Sequence, residues 1–203
     1  MNSNCYSIRS YKGVTYVSLE NGAAKIIESD YSLQPFISNT GVVNSVSLHR
    51  GKLYLLCNDG NNSPKISVYD LNGQLISSWS LNTRSKVLAD SFVIVEDTVA
   101  VPIRGNKQLR VYSLEGKFIK RINCPQMSTY STHAICAVDS QSVVVSSLGT
   151  SKVFRVNIDT EEVMWMTDVR NSGGVTRYSE DFILVAVYES EGTTISVLDV
   201  RTG

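Results

Sequence analysis

The chain is 203 residues long with 19 basic and 19 acidic side chains, so its net charge is zero, which argues against a wholesale nucleic-acid or anionic-membrane binder. Hydrophobic residues make up 42% of it, enough for a packed core and too many for a disordered chain. With 25 Val, 14 Ile and 13 Thr against seven Ala, the composition favours strands over a helical bundle.

In chain order, Met1-Asn2-Ser3-Asn4-Cys5 opens without a basic stretch leading into an apolar one, so no secretory leader is expected. Cys5, Cys57, Cys124 and Cys136 form no C-x-x-C pair and only two His exist; reduced, buried thiols in a cytoplasmic protein are expected, with no structural zinc. Lys25–Asp30 is a worn first copy of a motif that returns as Ile66-Ser67-Val68-Tyr69-Asp70-Leu71-Asn72-Gly73, Leu109–Gly116, Val153–Thr160 and Ile195–Gly203. With Asp30, Asp70, Ser113, Asn157 and Asp199 taken as equivalent, the spacings are 40, 43, 44 and 42. Such a period, with only strand signals inside it, marks propeller blades of four strands each.

Within the repeats, first strands are expected at Ser45–His49, Phe92–Val95, Ala134–Val138 and Val175–Tyr178, and second strands at Leu53–Cys57, Val99–Ile103, Val143–Ser147 and Phe182–Val187. The second strands are nearly continuous apolar runs, which predicts burial on both faces. Fourth strands are expected at Gln74–Ser80, Lys117–Asn123 and Val163–Asp168. The longest apolar run, Phe182–Val187, is far too short for a membrane span. The reading is an all-β chain, one β-propeller domain of four-stranded antiparallel blades. Its repeats lie near 4–38, 42–80, 90–123, 134–168 and 174–203, and the last blade lacks its outer strand. This is either a five-bladed ring or part of a six-bladed one, which would need about 250 residues.

The pattern resembles the NHL-repeat propellers of TRIM-like proteins, on the I-x-V-Y-D-x-x-G turn at Ile66–Gly73, its copies at Leu109–Gly116 and Ile195–Gly203, and the hairpins before them. The usual V-A-D-x-x-N-x-R-I link between second and third strands is replaced here by Cys57–Asn62 or Ser147–Ser151. No Trp-Asp dipeptide closes any repeat, unlike a WD40 chain. The resemblance implies a non-enzymatic module that recruits protein or RNA.

No nucleophile elbow, Walker loop or Cys/His pair at a useful spacing is present, so no catalytic residue and no cofactor is expected. Asp59-Gly60-Asn61-Asn62-Ser63 lacks the distal Glu of a calcium loop and reads as a polar turn. His49 reads as a strand-end residue, and Trp79 and Trp165, at equivalent places in fourth strands, read as packing between blades. Lys117, Lys120 and Arg121 read as edge protection. Arg84, Lys86, Arg104 and Lys107 lie in the loops between blades or between second and third strands, which emerge on one face, and Tyr130 and His133 enter that face from the next blade. These six are the candidate ligand-face residues. The competing expectation is a small-molecule enzyme of the lactonase or dehydrogenase propeller kind, for which no ring of acids is evident. The uncovered strand Thr194–Asp199, with neither Lys nor Pro, suggests pairing with the N-terminal segment near Cys5, a further strand or a second copy.

Overall fold

A computed structural model describes residues 7–27, 29–38, 40–58, 64–81, 89–129 and 133–203, with His133 described by its backbone. Among the described residues there are nineteen strands and one turn of 3-10 helix, and the chain divides into two units, Met1–Ala89 and Asp90–Gly203.

The first unit holds two antiparallel meanders. One runs β1 (Ser7–Tyr11), β2 (Val14–Leu19), β3 (Gly22–Ile27), β4 (Ser32–Ser38); the other runs β5 (Val42–His49), β6 (Lys52–Asn58), β7 (Pro64–Asp70), β8 (Leu75–Ser80). The hairpins at Lys12-Gly13 and Arg50-Gly51 put both turn residues at positive φ, 50° and 76° in one and 48° and 71° in the other. Such two-residue turns match the right-handed twist of the strands they join, and the Gly takes the second place at no steric cost. Tyr16, Ala23 and Ile37 of the first sheet pack against Val43, Val46, Leu53 and Leu55 of the second.

The second unit holds three meanders: β9 (Val93–Val95) to β10 (Thr98–Ile103), β11 (Gln108–Ser113) and β12 (Phe118–Asn123); β13 (His133–Ala137) to β14 (Ser142–Ser147), β15 (Lys152–Asn157) and β16 (Val163–Asp168); and β17 (Ser172–Arg177) to β18 (Phe182–Glu189) and β19 (Gly192–Asp199). The middle sheet explains the Val143-Val144-Val145 run. Val143 and Val145 enter a core with Val95, Leu109 and Val111 on one side, while Val144 enters a core with Ile183, Val185 and Val187 on the other. Alternation sends successive side chains to opposite faces, so a strand with a sheet on each side is apolar at every position.

The expectation of two buried faces fails for Phe182–Val187. Ile183, Val185 and Val187 are buried against the neighbouring sheet, but Phe182 is 43% exposed and Leu184 and Ala186 are half-buried. Continuous apolarity there gives one packed face and one open one.

The residues aligned by the repeat do the same work in all five sheets. The side-chain oxygen of Asp30 accepts the N–H of Ser32 at 2.9 Å. Asp70 accepts from Asn72 at 2.9 Å, Ser113 from Glu115 at 3.2 Å, Asn157 from Asp159 at 2.8 Å and Asp199 from Arg201 at 2.7 Å. Each bond runs two residues forward and closes the turn after a third strand, as Asx and Ser/Thr turns do. Carboxylate, hydroxyl and amide serve alike, because the turn asks only for an acceptor. Asp70→Ala, which also loses the 2.8 Å bond from Gln74 N–H, should therefore lower stability by about 1 kcal/mol, whereas Asp70→Asn should keep most of it. Urea denaturation of the three proteins checks this.

Candidate functional site

Strands alternate in direction, so the connections between second and third strands and those between sheets lie at the same end of each meander. In the Asp90–Gly203 unit hydrogen bonds tie these connections together. Cys124 N–H donates to the Lys107 carbonyl at 2.8 Å and the Thr150 hydroxyl to the Gln126 carbonyl at 2.7 Å. Ser128 N–H donates to Ser147 Oγ at 3.0 Å, and Val169 N–H to the Ser151 carbonyl at 2.9 Å. The resulting surface is rich in hydroxyls and amides held by backbone, a rigid loop end of the kind that carries binding residues.

Arg104 and Lys107 both stand in the four-residue link from β10 to β11, and Lys107 adopts φ 51°. They differ in what they can offer. Arg104 Nε and Nη2 both donate to Asp90 Oδ2, at 3.1 and 2.6 Å, and each side chain is about a quarter exposed. The expected basic group is thus partly neutralised within the protein: Asp90, fourteen residues upstream, takes the Arg104 charge that the sequence reading left for a ligand. Lys107 is exposed. Arg170, in the link from β16 to β17, is a second exposed cation at this end that sequence reasoning passed over. Among the described residues neither Lys107 nor Arg170 has an ion-pair partner. Lys152 is engaged by Asp168.

Arg84, Lys86 and Tyr130 lie outside the described residues, as does the Asp59–Ser63 loop. His133 begins β13 opposite Ser147, at the same loop end.

The outer-strand cations do not form one set. Lys120 donates to the Asp159 carbonyl at 3.2 Å and stands 3.8 Å from Glu161, joining two sheets. It also lines a cleft of about 450 Å³ with Glu96, Thr98, Gln141 and Asp159, at the opposite end from Lys107. Lys117 and Arg121 are exposed, as edge charges are.

Trp165 supports the packing role: it is half-buried, and its indole N–H donates to the Val200 carbonyl at 2.8 Å. The same carbonyl receives Arg155 Nη1 at 2.9 Å, while Arg155 Nε donates to Ser142 Oγ at 2.9 Å and Nη2 pairs with Asp139. Nothing in the sequence marked Arg155, an apparently ordinary polar residue in a strand, as a buried clamp. Cys57, Cys124 and Cys136 are buried. Burial pushes Cys57 and Cys124 up to about 11, so both stay protonated at neutral pH and are poor nucleophiles. Among the described residues no three His, Cys, Asp or Glu side chains gather as metal ligands, and no helix is long and apolar enough to cross a membrane.

No protein family matches the sequence, and no curated protein matches it. Solved structures do match its fold. A protein of unknown function from Bacteroides caccae aligns with 99% of this chain and 80% of its own at 9% identity and a TM-score of 0.72. A chain of the nidogen/laminin complex aligns with 97% of this chain and 76% of its own at 12% identity and a TM-score of 0.74. The Pan2 WD40 domain of Neurospora crassa aligns with 98% of this chain and 63% of its own at 11% identity and a TM-score of 0.71. At these identities the likeness concerns the fold alone, and with the five repeated meanders it makes the chain a five-bladed β-propeller.

Proposed function

We propose that this propeller is a non-enzymatic interaction module of the NHL kind, whose loop end in the Asp90–Gly203 unit receives an acidic segment of a partner protein. One observation carries the reading: the loop end is a backbone-braced surface on which Lys107 and Arg170 remain as exposed cations while Arg104 is held by Asp90. Two separated cations on a neutral protein suit a short acidic peptide better than a polyanion, whose binding draws on many phosphate contacts. Propeller neighbours such as a chain of the nidogen/laminin complex fit a protein-binding role.

The test compares the full chain against two fluorescent probes, a Glu/Asp-rich peptide and a single-stranded RNA of equal charge, by anisotropy across a salt series. The peptide should bind more tightly, and Lys107→Glu with Arg170→Glu should weaken it by about tenfold. Lys117→Glu with Arg121→Glu on the outer strand should change little. Equal losses from the two pairs would reduce the site to general surface charge, and tighter binding of the RNA would replace the protein reading with an RNA one.

A further inference from the structure

The cleft that Lys120 lines is built by two neighbouring sheets, β9–β12 and β13–β16, at the hairpin end of the Asp90–Gly203 unit. Its volume of about 450 Å³ falls within the roughly 300–1,000 Å³ of clefts that hold small groups. Ile158 and Ile119 supply an apolar wall; Ile158 is buried and Ile119 is 48% exposed. Among the lining residues Lys120 is the cation, and it is already engaged: Nζ donates to the Asp159 carbonyl at 3.2 Å and stands 3.8 Å from Glu161. The carboxylates that line the cleft, Glu96 and Asp159, are exposed and have no ion-pair partner among the described residues. The repeat itself shows that Glu96 is a departure. It opens the hairpin between a first and a second strand at φ 49°, as Lys12 and Arg50 do at 50° and 48° in the two sheets of the first unit. At the same place on the same backbone, two sheets carry a base and the sheet beside the cleft carries an acid.

We infer that this cleft receives an arginine side chain from a basic segment of a partner protein, its stem against Ile119 and its guanidinium at the carboxylates of Glu96 and Asp159. Charge complementarity names the occupant: two unpaired carboxylates face a single lysine that Glu161 already attends. The apolar wall names its shape, since an arginine lays its methylenes on apolar surface while its head reaches polar groups. A planar guanidinium also meets carboxylates through paired, charge-assisted hydrogen bonds, which an ammonium cannot match. Glu115, Glu162 and Glu180 in nearby turns of this end add a field that draws a basic segment in. The inference goes beyond the loop-end reading and shares no residue with it, because the cleft lies at the opposite end of the strands.

The test uses the full chain and a fluorescent hexapeptide holding two arginines between leucines, set against the same peptide with citrulline for arginine, by anisotropy. Citrulline keeps the stem and loses the charge, so the arginine peptide should bind at least about tenfold more tightly. Glu96→Gln with Asp159→Asn should weaken it by about tenfold. Glu115→Gln with Glu180→Gln removes the same charge from exposed turns of this end outside the cleft and should change binding by less than about twofold. Ile119→Ser should cost about threefold or more through the lost wall. Lys120→Met should tighten binding more than Lys117→Met does, because only Lys120 competes for the cleft. Equal binding of the two peptides, or equal losses from the two carboxylate pairs, would overturn the inference. Spermine binding more tightly than the arginine peptide would replace the partner protein with a free polyamine and overturn it as well.

Discussion

Phe154→Ala should destabilise the Asp90–Gly203 unit by about 3–5 kcal/mol. Phe154 is fully buried in β15, opposite Val145 and Met166, in a core that also takes Val111 and Ile122 from the adjoining sheet. Removing the ring leaves a void between two sheets whose backbones are fixed by their own ladders, so little collapse can refill it. A urea titration followed by Trp165 emission in a Trp79→Phe background reads the change as a lower midpoint with an unchanged slope. Met166→Ala is the control, because Met166 is 47% exposed and its loss should cost well under about 1 kcal/mol. Similar losses at the two positions would mean that the inter-sheet core is not what holds the unit together.

Arg155→Met should cost about 2 kcal/mol. The guanidinium is buried and joins Ser142, Asp139 and the Val200 carbonyl; Met keeps much of the stem and none of the donors. The loss stays below that of a fully buried pair because Asp139 is 42% exposed and water can take over part of its charge. A pH signature accompanies it. Burial pushes the Asp139 carboxyl up, but the N–H of Gln141, the Ser142 hydroxyl and Arg155 together hold it below the ordinary aspartate range. Asp30 and Asp199 are held low chiefly by the backbone N–H groups of Ser32, and of Arg201 and Thr202. A carboxylate with a lowered folded-state value stabilises the protein above its unfolded value, near about 3.9, and that contribution is lost as the pH falls through the folded value. Stability should therefore be level near neutrality and fall below about pH 4. In Arg155→Met the Asp139 share of that fall should shrink. An acid titration with the same profile for both proteins would rule out the coupling.

What the sequence conveyed was repetition, and what it withheld was partnership between side chains far apart. Strand positions were legible because each repeat obeys local rules: Val143-Val144-Val145 requires a neighbour on each side, and Asp70-Leu71-Asn72-Gly73 requires a turn. The engagement of Arg104 by Asp90 was hidden because it depends on where two loops land in space. Arg155 was hidden for the same reason, since its decisive acceptor is a carbonyl forty-five residues away. The outward side of Phe182–Val187 misled because composition cannot distinguish an apolar face that is covered from one that is open. Arg84, Lys86 and Tyr130 lie outside the described residues, so the loop end rests on Lys107 and Arg170.

The five turn-closing acceptors at Asp30, Asp70, Ser113, Asn157 and Asp199 bear on how such a chain can diverge. A copied unit must keep a lone pair at one place, and three chemical kinds of side chain supply it. Substitution among them is close to silent, so the copies can lose their spelling while keeping their grammar. A search that scores letters sees unrelated segments long before the architecture has changed. A search that scores which positions must accept a hydrogen bond would still find the beat of about forty-two residues.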